Sequence, residues 1–348
     1  MYYIVGYSYK ETKYNKMSLT LKTLLRLRAN GGPALMRRLS SSPKAPIERE
    51  FSFHPVLSTY KVGDFIGRRQ KKDPTMVPII VDAKQTITEA VRGMADKDSI
   101  RSAIMVEDKQ TKKVVGIITE RDYARKVELQ GKDPNTTLCE EIMTPAPETI
   151  ETSESLDDAI TALFQGSYRH LPITDRDSVS GMLGINDTLR ELFRLQVLHK
   201  HMPAMKAPLT AIPNGPSKAK THFVDETDDV YEAIKLMSIK DVGSLVVKNN
   251  ENVMTGIITE HDYLAKVAMK GASAKDMKVS EIMTKDPVCT EASKSVLKGL
   301  ELLIGQGCRH MPLLGPGTDA DGPLHKESGL RVVGMLSSKH IIRYVYDL

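Results

Sequence analysis

The 348-residue sequence predicts an α/β fold made of four copies of one β-α-β-β-α unit. Three observations carry that prediction. Gly-Ile-Ile-Thr-Glu-Arg-Asp-Tyr-Ala-Arg-Lys-Val begins at Gly116, and Gly-Ile-Ile-Thr-Glu-His-Asp-Tyr-Leu-Ala-Lys-Val begins at Gly256, an offset of 140 residues. The same offset relates Glu141-Ile142-Met143-Thr144 to Glu281-Ile282-Met283-Thr284, and Arg169-His170-Leu171-Pro172 to Arg309-His310-Met311-Pro312. Within each half, a helical pattern, a short apolar strand, a glycine-containing apolar strand and a second helix recur twice. Landmarks that share one register mark duplicated halves, about 60–200 and 201–348, each divided again.

The first helix of each unit is read from apolar residues spaced i, i+3, i+4 and i+7. These are Ile87, Ala90, Val91 and Met94; Leu156, Ala159, Ile160 and Leu163; Val230, Ala233, Ile234 and Met237; and, more weakly, Val296, Leu300 and Leu303. Thr86 with Glu89, Ser155 with Asp158, and Asp229 with Glu232 stand at capping-box spacing and predict where three of these helices begin. Two strands follow each helix: 103–106 then 114–118, 170–173 then 181–185, 244–247 then 253–258, and 310–313 then 332–336. Their continuous apolar runs suit strands covered on both faces. The connection 315–331, rich in Gly, Pro and Asp, reads as a long exposed insertion. Pro203, Pro208, Pro213 and Pro216 make 201–220 the expected linker, so the units fall at 60–129, 138–200, 221–271 and 278–348. A unit this short buries too little apolar surface alone, so neighbours are expected to pair.

The formal charge of +5 is a local excess. Residues 1–39 hold eight Lys or Arg against one Glu, which leaves −2 for the remainder, and the folded part is not a nucleic-acid binder by charge. Residues 12–47 contain no acid and mix basic residues with Leu19, Leu21, Leu24, Leu25 and Leu27. That is transit-peptide composition, with 1–47 as the mitochondrial address and Met17 as a candidate start; a disordered basic tail is the other reading. No uninterrupted apolar stretch approaches the roughly 18 residues of a membrane span, so no membrane insertion is expected. Cys139, Cys289 and Cys308 lack metal or redox spacing and read as buried packing residues.

In Gly116-x-x-Thr119-x-x-Asp122 a strand ends and a helix begins, so backbone N–H groups and the positive end of the helix dipole converge on one point. The Thr119 hydroxyl can donate to a phosphate oxygen, and Asp122 can accept from both hydroxyls of a ribose diol. Thr259 and Asp262 repeat the constellation. The second copy keeps Asp187 but has Gly184 in place of Thr, and the fourth keeps Ser337 but has His340 in place of Asp. A second reading stands beside this one: Thr at N-cap with an acid at N3 is also an ordinary helix start.

With the repeats around them, 116–127 and 256–267 resemble the CBS-domain family, in which two units dock face to face as a Bateman module. The resemblance covers about 60–348 and implies two Bateman modules in a pseudo-symmetric arrangement. Residues 116–126, 130–131 and 142–144 are especially similar to plant mitochondrial single-pair CBS proteins linked to thioredoxin regulation, and the doubled arrangement resembles the γ subunit of AMP-activated protein kinase. The family's pattern implies ribose and phosphate contacts from Thr119, Asp122, Thr259 and Asp262, and weaker ones from Asp187 and Ser337. Arg169, His170, Arg309 and His310 fall at the cleft edge in that fold, where Arg suits bidentate phosphate contact, against the alternative that they end solvated strands. Ala103, Ile117, Ser244 and Ile257 are adenine-slot candidates that also suit the core. Neither histidine sits at metal spacing, so no metal and no cofactor beyond a regulatory adenine nucleotide is expected. The implied ligands are AMP, ADP, ATP or S-adenosylmethionine; the implied partners are a mitochondrial matrix protein, with the thioredoxin system as a candidate, and a second copy as homodimer. No nucleophile-base pair, Walker loop or dinucleotide fingerprint is present, and the expectation is a sensor rather than an enzyme, with a structural accessory subunit as the alternative.

Overall fold

The computed structural model describes residues 55–72, 78–95, 103–166, 168–176, 178–200, 202–213, 215–216, 220–317 and 322–347. The predicted address segment, 1–47, lies outside them.

The first half begins with α1 (Val62–Lys72), β1 (Ile80–Asp82), α2 (Ile87–Val91), β2 (Ala103–Glu107), β3 (Val114–Thr119), α3 (Glu120–Tyr123) and β4 (Thr144–Pro145). It continues with β5 (Ile150–Glu151), α4 (Leu156–Gln165), β6 (His170–Asp175), β7 (Ser178–Gly184) and α5 (Ile185–Arg194). The second half repeats this order with β8 (Phe223–Asp225), α6 (Val230–Lys240), β9 (Ser244–Lys248), β10 (Met254–Thr259), α7 (Glu260–Lys266) and β11 (Thr284–Lys285). Its last unit holds β12 (Thr290–Glu291), α8 (Val296–Gly305), β13 (His310–Gly315), β14 (Arg331–Ser337) and α9 (Ser338–Asp347). The sheets run β1-β2-β3-β4, β5-β6-β7, β8-β9-β10-β11 and β12-β13-β14. In each, the first strand lies parallel to the second, and the second pairs antiparallel with the third.

The apolar strands are covered twice. On one face Ile104, Ile118 and Tyr123 of the first unit join Leu245, Ile258 and Tyr263 of the third in one core. Leu171, Leu183 and Leu189 of the second unit join Met311, Leu336 and Ile341 of the fourth in another. The opposite strand face closes within a half: Ala103, Met105 and Ile117 pack on Met182, and Val246 and Met254 on Leu314 and Val332. No unit owns a complete core, which is why a sequence divided into small units folds as one body.

Several sequence expectations are corrected. Ser155 and Asp158 form a full capping box, whereas Thr86 and Asp229 occupy N-cap positions without side-chain capping bonds. Asp229 instead receives Lys278 Nζ at 2.6 Å. Residues 202–213, the described core of the expected linker, are not a loose tether: Met202, Met205, Leu209 and Ile212 are buried in the second-and-fourth core. Their backbone pairs with the fourth unit (Leu209 N–H to Lys294 O, 2.8 Å), as the start of the first unit pairs with the second (Val62 N–H to Glu154 O, 3.0 Å). In the insertion 315–331, Gly322 and Pro323 are buried, and Met254 N–H donates to Leu324 O at 2.8 Å, seating the loop on the third unit. Cys139 is buried as expected, but Cys289 and Cys308 are only half-buried.

Candidate functional site

Four strand-to-helix junctions carry the repeated motif, and their local geometry differs by copy. In the first, Thr119 N–H and Oγ1 both donate to Asp122 Oδ2 (2.9 and 2.7 Å), while Lys126 Nζ pairs with Oδ1 at 2.7 Å. The third is its image: Thr259 donates to Asp262 Oδ2 at 3.0 and 2.7 Å, and Lys266 Nζ reaches Oδ1 at 2.6 Å. Each lysine, one turn along the helix, also donates to a carbonyl, Ile142 O or Ile282 O, at 2.6 Å. These carboxylates are therefore satisfied inside the chain, by a capping box and a lysine.

The motif glycine has a packing reason. A Cβ on Gly256 would stand 2.6 Å from Thr284 O and 2.9 Å from Met283 Sδ; one on Gly116 would meet the Met143 side chain. β10 needs glycine there because the Thr284 carbonyl of the paired strand β11 lies against it, whereas at β3 the neighbour is the Met143 side chain.

The second and fourth junctions face a shared cavity of about 300 Å³. Gly184 to Asp187 at the start of α5 and Ser337 to His340 at the start of α9 line it, with Arg169, His170, Arg309 and His310 at the heads of β6 and β13. Arg121, Val242, Gly243, Ser244 and Lys339 complete its chemically distinctive wall. Of the residues singled out in the sequence, Asp187, Ser337, Arg169, His170, Arg309, His310 and Ser244 come together here. Thr119, Asp122, Thr259 and Asp262 do not line this cavity, Ala103 and Ile117 pack in the seam between the first two sheets, and Ile257 is a buried β10 residue.

Two buried acids hold the arginines from behind. Glu120 takes Arg309 Nη2 at 2.8 Å and His261 Nδ1 at 2.7 Å. Glu260 takes Arg121 Nε at 2.9 Å and lies 3.5 Å from Arg169 Nη2. Asp241 binds Arg121 and Arg125, each at 2.9 Å. Burial works against the Glu120 charge, yet Arg309 and His261 outweigh it and hold the carboxyl down to about 2. Burial lowers Arg169 from the ordinary arginine value, with Arg121 and Arg309 adding repulsion, whereas Glu120 more than offsets burial at Arg309 and raises it. His170 and His310 are pushed down to about 3 by burial and the adjacent guanidiniums, and His340 to about 4 by burial and Lys339. The cavity wall thus carries fixed guanidinium charge and neutral imidazoles near pH 7. Asp187 pairs with Arg69 Nη1 of α1 at 2.9 Å and accepts Gly184 N–H at 3.1 Å; burial still raises its carboxyl.

Sequence reasoning did not find Glu120, Glu260, Arg121, Lys339 or Arg69. The two glutamates carried a usable signal, because both follow the motif threonine at the 140-residue offset. An acid at the first helical position complements the dipole of any helix, so that signal reads as a solvated face. Among the described residues no cluster of His, Cys, Asp or Glu is arranged to hold a metal, and no helix is long and apolar enough to cross a membrane.

A family model described as the CBS domain matches residues 72–128, 139–194, 218–268 and 279–347. The chain is 24% identical over 285 residues to CBS domain-containing protein CBSCBSPB2 of Arabidopsis thaliana, covering 73% of this chain and 51% of that protein. It is 35% identical over 124 residues to the mitochondrial CBS domain-containing protein CBSX3 of the same plant, covering 34% and 54%. The chain thus spans about half the length of the curated relatives it matches. Among solved structures, protein MJ1225 of Methanocaldococcus jannaschii, described as a putative archaeal homolog of the AMPK γ subunit, superposes with a TM-score of 0.60. It is 16% identical and covers 78% of this chain and 96% of its own, a likeness of fold.

Proposed function

The chain belongs to the CBS-domain family, and from that premise we propose that it is a regulatory protein that binds an adenine nucleotide in the shared cavity and signals its occupancy to a partner. One observation carries the reading: Arg121, Arg169, Arg309 and Lys339 meet the N-termini of two ten-residue helices, α5 and α9, around one cavity. Guanidiniums and helix N-termini both hold phosphate, the first by paired charged donors and the second by free N–H groups at the positive end of the dipole. Met182, Ile185, Val242 and Met335 supply an apolar wall for a base. The cationic lining favours AMP, ADP or ATP over S-adenosylmethionine, whose sulfonium it repels.

Occupancy has a route to the surface. Arg169 and Arg309 are held by Glu260 and Glu120, which stand on the other half's side of the cavity. A phosphate that draws the arginines forward loosens those pairs and biases the angle between halves, by no more than its differential affinity for the two arrangements. The acid-free basic segment 12–47 and the mitochondrial relative support a mitochondrial setting, with a matrix partner, for which a thioredoxin-system protein is a candidate from the resemblance.

Thermal melting of the full chain with AMP, ADP, ATP and S-adenosylmethionine tests the reading. A phosphorylated ligand at about 100 times its Kd stabilises by roughly 2.7 kcal/mol, a shift of several degrees. An unchanged melting temperature with all four sinks it. A structural accessory subunit without ligand is favoured by one observation, that Asp122 and Asp262 are satisfied internally; stoichiometric co-purification with a complex, indifferent to nucleotide, would support it.

A further inference from the structure

Arg169 and Arg309 are equivalent in sequence, immediately before β6 and β13, but they are not held alike. Each is backed by a glutamate that opens a helix of the other half, and both glutamates follow one pattern. Glu260 accepts Arg121 Nε on Oε1 at 2.9 Å and faces Arg169 Nη2 with Oε2 at 3.5 Å. Glu120 accepts His261 Nδ1 on Oε1 at 2.7 Å and Arg309 Nη2 on Oε2 at 2.8 Å. The chemistry differs at one repeat position, which is Arg121 in the first half and His261 in the second. An arginine is a permanent cation and an imidazole is not. Glu260 therefore answers two permanent cations, with Arg125 Nη2 a third at 4.0 Å, whereas Glu120 answers one.

The outcome is one guanidinium held loosely and one held firmly. Burial lowers Arg169, and repulsion from Arg121 and Arg309 adds to it; burial acts on Arg309 too, but Glu120 outweighs it. Nη1 of Arg169 also lies at the cavity wall beside Gly243, 3.3 Å from where a Cβ would stand. Drawing Arg169 onto a phosphate gives up a long contact, and Glu260 keeps Arg121. Drawing Arg309 forward breaks a 2.8 Å pair and leaves the buried Glu120 with the imidazole alone, which is costly for a buried charge.

We propose that Arg169 is the arginine that grips the phosphate of the nucleotide, that Arg309 is a strut which stays on Glu120, and that the residue at 121 or 261 sets this division. His261, which does not line the cavity, is then a positioning residue for Arg309. The inference rests on the nucleotide-binding reading above and narrows the pair that loosens to Arg169 with Glu260.

Calorimetric titration of the full chain with ADP tests it on Arg169→Lys, Arg309→Lys and His261→Arg. Lysine keeps the charge and can keep the ion pair with the glutamate, so these variants fold with nearly the same field in the cavity; what each loses is the guanidinium's paired donors. Arg169→Lys should weaken ADP about tenfold, the worth of one charge-assisted hydrogen bond, and Arg309→Lys by no more than about threefold. His261→Arg gives Glu120 a second guanidinium, as Arg121 gives Glu260, and should release Arg309, so that Arg309→Lys in that background costs about tenfold. Added charge alone would tighten ADP without changing the cost of Arg309→Lys, so the double-mutant cycle separates the two effects. Equal losses from the two lysine variants overturn the assignment of Arg169 while the nucleotide reading stands. A cost of Arg309→Lys that is the same with histidine or arginine at 261 overturns the role given to His261. A wild-type chain that binds no ADP, or binds it with an affinity neither lysine variant changes, removes the nucleotide reading of this cavity and the inference with it.

Discussion

Acidification from pH 7.5 to 5.5 should destabilise the chain by an amount the cavity histidines set. His170 and His310 sit at about 3 and His340 at about 4 in the fold, against an ordinary value of 6.5. Between those limits the unfolded chain binds protons that the native chain refuses, so native stability falls as pH falls through 6.5. All three native values lie below 5.5, so the loss over this interval is governed by the unfolded-state pKa, at roughly 1.3 kcal/mol per histidine. Together they remove on the order of 4 kcal/mol, a large part of an ordinary domain's 5–15 kcal/mol. Glu120 contributes in a separate window: held at about 2, its stabilisation is complete above its ordinary 4.5 and is lost only as pH falls from there toward 2. Urea unfolding at pH 7.5, 6.5 and 5.5 measures the first window, with His170→Gln, His310→Gln and His340→Gln together as the comparison. A midpoint that does not move between pH 7.5 and 5.5, or a loss that the triple variant retains in full, refutes the reasoning.

Gly256→Ala should cost about 1–3 kcal/mol, because the new methyl meets the Thr284 carbonyl of a paired strand at 2.6 Å, a neighbour that cannot swing away. Gly116→Ala should cost less, since what it meets first is the flexible Met143 side chain; urea midpoints compare the two. Glu120→Ala removes the buried partner of the half-buried Arg309 and should destabilise by about 1–3 kcal/mol, whereas Glu120→Ala with Arg309→Ala together should recover part of that loss in a double-mutant cycle. Additive single losses would contradict the pairing.

The four-unit fold was legible because its signals repeat. The apolar spacings at Leu156 and Val230, and the glycine strands at Gly116 and Gly256, each gave an element where the chain has one. Capping was less legible: Thr86 and Asp229 match a spacing rule, but at Asp229 a lysine 49 residues away takes the carboxylate. Proline content alone described 201–220 as a tether, since nothing local says that Met205 and Leu209 enter a core assembled by units two and four. The site was half visible for the same reason. Arg169-His170 and Arg309-His310 announced themselves as a repeat, but that they share one cavity depends on how the halves cross. The intact Thr119/Asp122 and Thr259/Asp262 motifs stand out in the sequence, whereas the residues that line the shared cavity include Asp187 and Ser337 of the altered copies.

Calorimetric titration of the full chain with ADP, counting bound nucleotide, decides most directly whether the shared cavity is the nucleotide site. The cavity predicts one ADP per chain, lost in Lys339→Glu and retained when Asp122 and Asp262 are both replaced by Asn. Two ADP per chain, indifferent to Lys339→Glu and abolished by the two asparagines, would contradict it.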